Sequence, residues 1–485
     1  MSSAASFPSS LNMYLDVHNR ASDEKQRQAA VLKFPSKPVA FSELVAALTY
    51  AFDLGSSEHS GHTLRTCVLG MNLGRCIHLS QEWMSELYYA LLLKDVGTTS
   101  NTVDICELMG MEEQLCRLAL RIFDWTTLTW PQIRFVFRHA FLGKSFPSRL
   151  KDILRLLRNR RLVWRAARQR AVTSELIARK FGRSEATIDA IRSVDERWDG
   201  SGGPAGLKEY EIPLMAQTCA IAQTLESLET IFGRDKAVRV IEDRSGTWFY
   251  PGLVAVVILM HEEGTLWNGA DSPNLMQEVL SRDPSPAKMA CDYDAFENIC
   301  SAFADMIDGK SHYTFMHSQN VAVLTEAIAR EMQLDEEQIT SLRRAALLHD
   351  IGMLGISHSI MDKEGPLTEQ QWTAVREHPR HSYELLRKVR GFDDIARIAR
   401  DHHERLDGSG YPQGLTAENI DLPTRILSVA DVYDAVCSPR AYRNNVEPDN
   451  VLQIMETLAP HQLDVECIAA LKRILAQAHE YSFAP

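Results

Sequence analysis

Residues 312–403 hold eight of the chain's 16 histidines: His312, His317, His349, His358, His378, His381, His402 and His403. Three of them sit in two adjacent ligand-type pairs, His349-Asp350 and His402-His403, and Asp431 follows 28 residues after the second pair. Imidazole nitrogens suit first-row transition metals, and a carboxylate beside them can bridge two ions. Mixed His/Asp ligation without cysteine therefore points to hydrolytic chemistry on Fe, Mn or Zn. A single histidine is more often a surface or core residue than a ligand, so the clustering of pairs with singles carries the reading.

The elements that must position these side chains are helices. SLRRAALLHDIGMLG (341–355), ARIARDHH (396–403) and LPTRILSVADVYDAVCS (422–438) have apolar residues at helical spacing, and strand-like alternation is rare, so an all-α fold is expected. The chain also contains itself twice. His62 precedes Asp95 by 33 residues, as His317 precedes Asp350; DGSGGPAGL (199–207) matches DGSGYPQGL (407–415), and 24 residues after each leading Asp stand Gln223 and Asp431. Between these anchors the first copy is 47 residues longer, over a stretch that overlaps a basic segment. At the ligand-type positions the first copy has Lys94 for His349, Val194-Asp195 for His402-His403 and Gln223 for Asp431. An ammonium, an aliphatic chain and a neutral amide cannot hold a metal pair, so this copy is expected to keep the scaffold without the chemistry. The expected organisation is two tandem helical bundle domains: a lead at 1–40, the degenerate copy at 41–280, a linker at 281–291 containing SRDPSPAKM (281–289), and the intact copy at 292–485.

At 485 residues the chain is too long for one ordinary core. No run approaches the ~20 apolar residues of a membrane helix, the longest being Leu253–Met260, and the N-terminus has no basic region leading into an apolar one. The nine cysteines are scattered without a C-x-x-C pair, which fits reduced thiols and a cytoplasmic protein. A net charge of -12 argues against nonspecific nucleic-acid binding, and no DNA partner is expected. From Lys144 to Arg192, however, there are 14 Lys/Arg against four Asp/Glu, with Leu154, Leu157, Trp164 and Ala167 interleaved. This fits a basic amphipathic helix, read either as a solvated face balancing acidic neighbours or as a surface for an anionic ligand, RNA or a partner.

With its motifs LLHDIG (347–352), DHHERLDGSGYP (401–412), ADVYDAV (430–436) and SPRAYR (438–443) in order, the region from about 310 to 475 resembles the HD-GYP family of cyclic dinucleotide phosphodiesterases, a branch of the HD-domain metal-dependent phosphohydrolases. The first copy resembles a degenerate HD domain through LLLKDVG (91–97) and DERWDGSGGPAGL (195–207). The resemblance implies two divalent transition metal ions, Fe or Mn first, with Zn, Ni or Co as alternatives. It assigns His317, His349, Asp350 and Asp431 to one ion and Asp350, His378, His402 and His403 to the other, with Asp350 bridging and His349-Asp350 at the catalytic centre. Arg440, Arg443 and Tyr411 would contact substrate, and Gly410, Tyr411 and Pro412 would form a loop that also recognises partner proteins. Some members bind a third metal through a glutamate four residues before the first histidine; Tyr313 stands there, which favours two metals.

The family commonly has a lysine three residues after the HD aspartate, where this chain has Met353, a change that weakens phosphate binding or shifts substrate preference without touching the metals. The resemblance implies hydrolysis of a 3',5'-cyclic dinucleotide, with cyclic di-GMP placed first and 3',3'-cyclic GMP-AMP as the alternative, to the linear dinucleotide and on to mononucleotide. A binding module that senses a cyclic dinucleotide or partner without turnover is the reading from a different class; a nucleotide monophosphohydrolase would have no use for the GYP loop. Signalling partners through that loop or the first copy, and self-association, are left open.

Overall fold

The computed structural model describes residues 40–51, 61–284 and 293–482, apart from residues 102–105, scattered positions between 107 and 128, and residues 159–160, 312–315, 364 and 439–447. The expected lead at 1–40 falls outside these residues except for Ala40, and the expected linker falls outside them from residue 285 onward. The described chain is all-α: helices and short 3-10 turns, with no β-strand among the described residues. It divides into two compact units, one of Ala40–Met289 and one containing Ala290–Pro485. No described helix is long and apolar enough to cross a membrane.

In the second unit, helix His317–Glu331 packs against Tyr293–Asp308, Glu336–Leu348, Leu422–Cys437 and Val465–Ser482. Helix His378–Leu386 packs against Asp393–Asp401 and against the 3-10 turn Ile351–Gly355. The sequence explains where these helices start. The Asp335 carboxylate accepts from the Gln338 amide at 2.9 Å while the Gln338 side chain accepts from the Asp335 amide at 3.3 Å, a reciprocal cap for Glu336–Leu348. Asp421 caps Leu422–Cys437 through the Thr424 amide at 3.1 Å. In Asp393–Asp401 the residues Ile395, Ala396, Ile398 and Ala399 face inward, a one-sided apolar stripe that seats the helix and so aims its C-terminal end.

The first unit repeats this plan. Helix His62–Cys76 packs against Gln81–Leu93 and Leu214–Phe232, and Arg161–Lys180 packs against the 3-10 turn Val96–Asn101. A separate small core, with Met109, Trp125, Val136, Ile153 and Leu156 buried in it, lies under the additional residues. None of the eight described cysteines is in a disulfide.

The basic segment differs from the expected single amphipathic helix. It forms three: Phe146–Arg158, Arg161–Lys180 and Glu185–Arg192. Gly182 at φ +63° takes the chain out of the second, and the Ser184 hydroxyl accepts from the Thr187 amide at 3.3 Å to start the third. All four acidic residues of the segment pair with its basic ones: Lys144 with Asp152 at 2.7 Å, Arg192 with Glu175 at 2.7 Å and with Asp189 at 3.2 Å, and Arg179 with Glu185. Ile153 and Leu156 are buried while Arg155 and Arg158 are exposed, so this part is a helix face packed on one side and solvated on the other.

Candidate metal centre

Helix ends and helix starts deliver the candidate ligands. His349 closes Glu336–Leu348 and Asp350 follows it; His402 closes Asp393–Asp401 and His403 follows; His317 and His378 each open a helix; Asp431 lies inside Leu422–Cys437. A helix C-terminus carries partial negative charge from its unpaired carbonyls, so two of the four helix ends favour a cation by their direction alone.

The seven residues His317, His349, Asp350, His378, His402, His403 and Asp431 meet in one cluster. Three groups have donor atoms all within 4.8 Å of one another: His317, His349 and Asp431; His378, His402 and His403; and His349, Asp350 and His402. Asp350 faces both sides. Its Oδ2 lies 3.5 Å from His349 Nε2 and 3.9 Å from His317 Nε2, while its Oδ1 lies 3.1 Å from His378 Nε2 and 3.7 Å from His402 Nε2. Asp431 Oδ1 is 3.4 Å from His317 Nε2, and its Oδ2 is 3.7 Å from His403 Nδ1.

Three of the imidazoles are held in the same way. His349, His378 and His402 each donate Nδ1–H to the carbonyl three residues earlier, Ala346, Val375 and Ala399, all at 2.7 Å. The proton on Nδ1 leaves the Nε2 lone pair of each ring turned into the cluster. Serine hydroxyls brace the backbone behind them: Ser382 Oγ donates to the His349 carbonyl and Ser428 Oγ to the His402 carbonyl, both at 2.6 Å.

The charge state is ready for a cation on one side. Burial would raise the Asp350 carboxyl, but the His349 and His378 imidazoles hold it well below the usual range; burial and His349 push the His402 imidazole down to about 3, and burial and His402 push His403 down. Neutral imidazoles around an ionised carboxylate are the form that ligates a metal. His349 Nε2 and Asp350 Oδ1 are buried without a hydrogen-bond partner, a costly arrangement that an ion would relieve. These residues therefore fit a divalent metal centre.

Asp434 escapes the sequence reading. His317 donates Nδ1–H to Asp434 Oδ2 at 2.6 Å, and Asn320 Nδ2 donates to the other Asp434 oxygen at 3.0 Å. Its signal was its place three residues after Asp431, on the same face of one helix. Burial would lower the His317 imidazole, but the hydrogen bonds to Asp431 and Asp434 hold it well above its ordinary range, so the metal-free protein keeps a cation between two carboxylates. Orienting carboxylates of this kind are worth roughly 10–100-fold in metal affinity. Asp434→Asn should accordingly weaken metal binding by about that factor with the fold intact, read by titration against a competing chelator; unchanged affinity would make Asp434 a packing residue only.

The loop after His402-His403 is tied to the cluster. Gly408 has φ +79°, and a side chain at Gly410 would meet Arg405 N and Glu404 Cα at 2.4 Å, so both positions need glycine. Buried Glu404 accepts from the Gln413 amide at 2.7 Å and the Leu415 amide at 2.8 Å, and the Tyr411 amide donates to the His403 carbonyl at 3.2 Å. The Tyr411 ring lies 4.9 Å from the His403 ring, and Pro412 is exposed beside it. Arg440, Arg443, Tyr313 and His312 lie outside the described residues, as does the side chain of His358. Met353 is half-buried in the 3-10 turn that follows Asp350.

The first copy keeps this frame and fills it differently. Ser174 Oγ donates to the Lys94 carbonyl at 3.1 Å and accepts from the Gly97 amide at 2.9 Å, as Ser382 Oγ does for the His349 carbonyl and the Gly352 amide. That register places Arg170 where the second copy has His378. Asp95 and Arg170 are 75 residues apart against 28 for Asp350 and His378, so the 47 additional residues all precede Arg170, and residues 170–192, expected within the basic insert, belong to the repeat. The completely buried Lys94 ammonium pairs with Asp95, and Arg170 Nη2 pairs with Asp195 Oδ2 at 2.6 Å. Side-chain cations thus sit among the carboxylates of the degenerate cluster. His62 pairs with Glu226, the counterpart of the His317–Asp434 pair, and Arg65, at the position of Asn320, donates to Glu226 from Nε at 3.0 Å. Burial would raise the Glu226 carboxyl, but His62 and Arg65 outweigh it and hold it at about 2. A depressed carboxylate stabilises the fold fully above its unfolded value near 4.5 and loses that contribution as pH falls towards about 2. The first unit should therefore lose up to roughly 3 kcal/mol over that window, measurable by amide exchange of its helices, and Arg65→Met should shift the loss to higher pH; an unshifted acid transition would refute the assignment.

Comparison with known proteins points to one family. Residues 164–253 and 301–467 match the HD domain family. The 3'3'-cGAMP-specific phosphodiesterase 3 of Vibrio cholerae serotype O1 is 36% identical over 435 residues, covering 90% of this chain and 94% of that protein. A cyclic di-GMP phosphodiesterase response regulator of Xanthomonas campestris pv. campestris is 37% identical over 182 residues, 37% of this chain and 48% of that protein. The crystal structure of a cyclic GMP-AMP specific phosphodiesterase of V. cholerae superposes with a TM-score of 0.62 at 31% identity, covering 93% of this chain and 99% of that one. A histidine–aspartate cluster on an all-α frame, matched to one family over more than half the chain and aligned nearly end to end with a phosphodiesterase, shows that the chain belongs to the HD domain family, in its HD-GYP branch of cyclic dinucleotide phosphodiesterases.

Proposed function

We propose that the second unit hydrolyses one 3',5'-phosphodiester bond of a cyclic dinucleotide at a two-metal centre held by His317, His349, Asp350, His378, His402, His403 and Asp431. The observation that carries this reading is Asp350, whose two oxygens face separate halves of the cluster. Fe or Mn suits a donor set of imidazoles and carboxylates without thiolate. Divalent cations, when bound, supply Lewis-acid stabilisation of the phosphate and activation of the attacking water. The chain's own residues hold that arrangement: the Ala346, Val375 and Ala399 carbonyls fix the tautomers of three ligands, Asp434 orients His317, and Tyr411 with the exposed Pro412 borders the cluster at His403. Arg440 and Arg443 follow Asp431 on the chain as guanidinium partners for substrate phosphate.

For the dinucleotide, 3'3'-cGAMP is the better choice than the cyclic di-GMP put first from sequence. The 3'3'-cGAMP-specific relative aligns along 90% of the chain, whereas the cyclic di-GMP relative quoted above aligns with 37%. The test is the rate of linear dinucleotide formation by protein loaded anaerobically with Mn or Fe, with metal content measured in the same sample. A kcat/KM at least tenfold higher for 3'3'-cGAMP is expected. A preference for cyclic di-GMP would reverse the substrate choice, and two bound metals without turnover of either would leave a binding module.

A further inference from the structure

A line of side chains runs outward from His403, and beyond that ligand its members have no part in holding the metal centre. The His403 and Tyr411 rings lie 4.9 Å apart, tilted by 38°; the Arg376 guanidinium lies 5.6 Å from the Tyr411 ring centre and 6.0 Å from that of Trp372. Trp372 and Arg376 are one turn apart on helix Glu369–Arg376, so they share a face, and that helix ends two residues before His378. Trp372 is 46% exposed although it is the largest apolar side chain of its helix, and none of that helix is buried. Arg376 is also exposed, and among the described residues it pairs with no carboxylate. An indole left in solvent beside an uncommitted guanidinium contributes little to stability. The same pair suits a ligand with a flat π face and negative charge.

Resting on the function proposed above, we infer that Trp372 and Arg376, with Tyr411, form the recognition wall for one purine nucleotide of the cyclic dinucleotide, the base stacking on the rings and the guanidinium meeting the adjoining phosphate. A cyclic dinucleotide carries two phosphates and two purines. The metal centre engages the phosphate that is cut and leaves the rest of the ring to be held by something else. The wall meets the cluster where Tyr411 lies 4.9 Å from His403, so a base resting on it stays within reach of a phosphate at the metals. Base–aromatic stacking is tolerant of base identity, and a guanidinium fork is the group that ties a base edge or phosphate to one orientation. Trp372 therefore sets affinity, and Arg376 sets affinity together with the choice between dinucleotides.

The test uses the full-length, metal-loaded protein with Trp372→Ala, Trp372→Phe, Arg376→Ala and Arg376→Lys. Two substrates are compared: 3'3'-cGAMP, and bis(p-nitrophenyl) phosphate, a diester without purines that reports the metal centre alone. The alanine variants should raise KM for 3'3'-cGAMP roughly 10- to 100-fold, with kcat and metal content within about twofold of wild type and the purine-free diester cleaved as before. Calorimetric affinity for the linear dinucleotide product should fall by a similar factor. Trp372→Phe should keep most of the affinity, and Arg376→Lys should recover charge without the planar fork and change the ratio between 3'3'-cGAMP and cyclic di-GMP. Unchanged KM and product affinity in both alanine variants would overturn the wall while wild-type turnover keeps the proposed function standing. Equal losses on both substrates, or loss of metal, would make these residues part of the scaffold and also overturn it. Wild-type protein that cleaves the purine-free diester but no cyclic dinucleotide would overturn the functional reading and the wall with it.

Discussion

Asp350→Ala should abolish turnover and release bound metal. The expected loss of activity is at least roughly 1,000-fold, beyond the roughly 10–100-fold that follows removal of a residue one step away from a metal. The reason is geometric. Asp350 is the carboxylate of the cluster that reaches two imidazoles with each oxygen, Oδ1 towards His378 and His402, Oδ2 towards His317 and His349. Asp431 reaches one imidazole with each oxygen, His317 and His403, and so cannot supply the four contacts that Asp350 makes. Alanine also leaves four inward-facing imidazoles without the charge that balances a cation pair. Asp350→Asn separates shape from charge: it keeps the side chain's volume and should still lose most of the metal. Metal content measured on the purified variant beside wild type decides the matter, and an alanine variant that retains both metals and activity removes Asp350 from the centre.

The fold class and the cluster were legible because they rest on local signals. Apolar spacing reports helices, and adjacent ligand-type pairs at helix ends survive as words in the sequence, so His349-Asp350, His402-His403 and Asp431 stood out without coordinates. What escaped depends on register between distant elements. Arg170 has no flanking motif, and the 47 additional residues ahead of it break the count from the first anchor; counting back 29 residues from Asp199 and from Asp407 sets it opposite His378, and the shared bridge from Ser174 to Lys94 and Gly97 gives the same register. Asp434 and Glu226 were equally hidden, since a carboxylate that orients a histidine looks in sequence like any acidic helix residue. The basic segment misled through its composition. Its net charge is real, but Asp152, Glu175, Glu185 and Asp189 each find a basic partner, and Glu175–Arg192, Glu185–Arg179 and Asp152–Lys144 do so at spacings that a single straight helix would not supply.

The two copies solve one electrostatic problem in two ways, and this leads to the second large effect. Both gather carboxylates in a buried frame, which is unfavourable unless positive charge is brought in. In the second copy a protonated His317 does part of this in the metal-free protein, and metal ions fit the rest. In the first, Lys94 and Arg170 are cations the chain carries with it: burial would lower the charge on Arg170, but Asp195 and Asp95 keep its guanidinium protonated, and Lys94 has no exposure to solvent at all. Lys94→Met keeps most of the side-chain volume and removes the charge next to Asp95. Breaking a buried pair from one side costs about 3–5 kcal/mol, so the first unit should lose about 3 kcal/mol with His62 and Arg170 still near Asp95. The loss should be the same with and without chelator, because no metal balances this cluster, while the helices of the second unit keep their chelator-sensitive protection. Lys94→Met combined with Asp95→Asn should recover most of the stability, since the unpaired charge is then gone. Hydrogen exchange followed unit by unit reads all of these together. If Lys94→Met costs less than about 1 kcal/mol, or if chelator destabilises the wild-type first unit, the side-chain cations do not stand in for metal there.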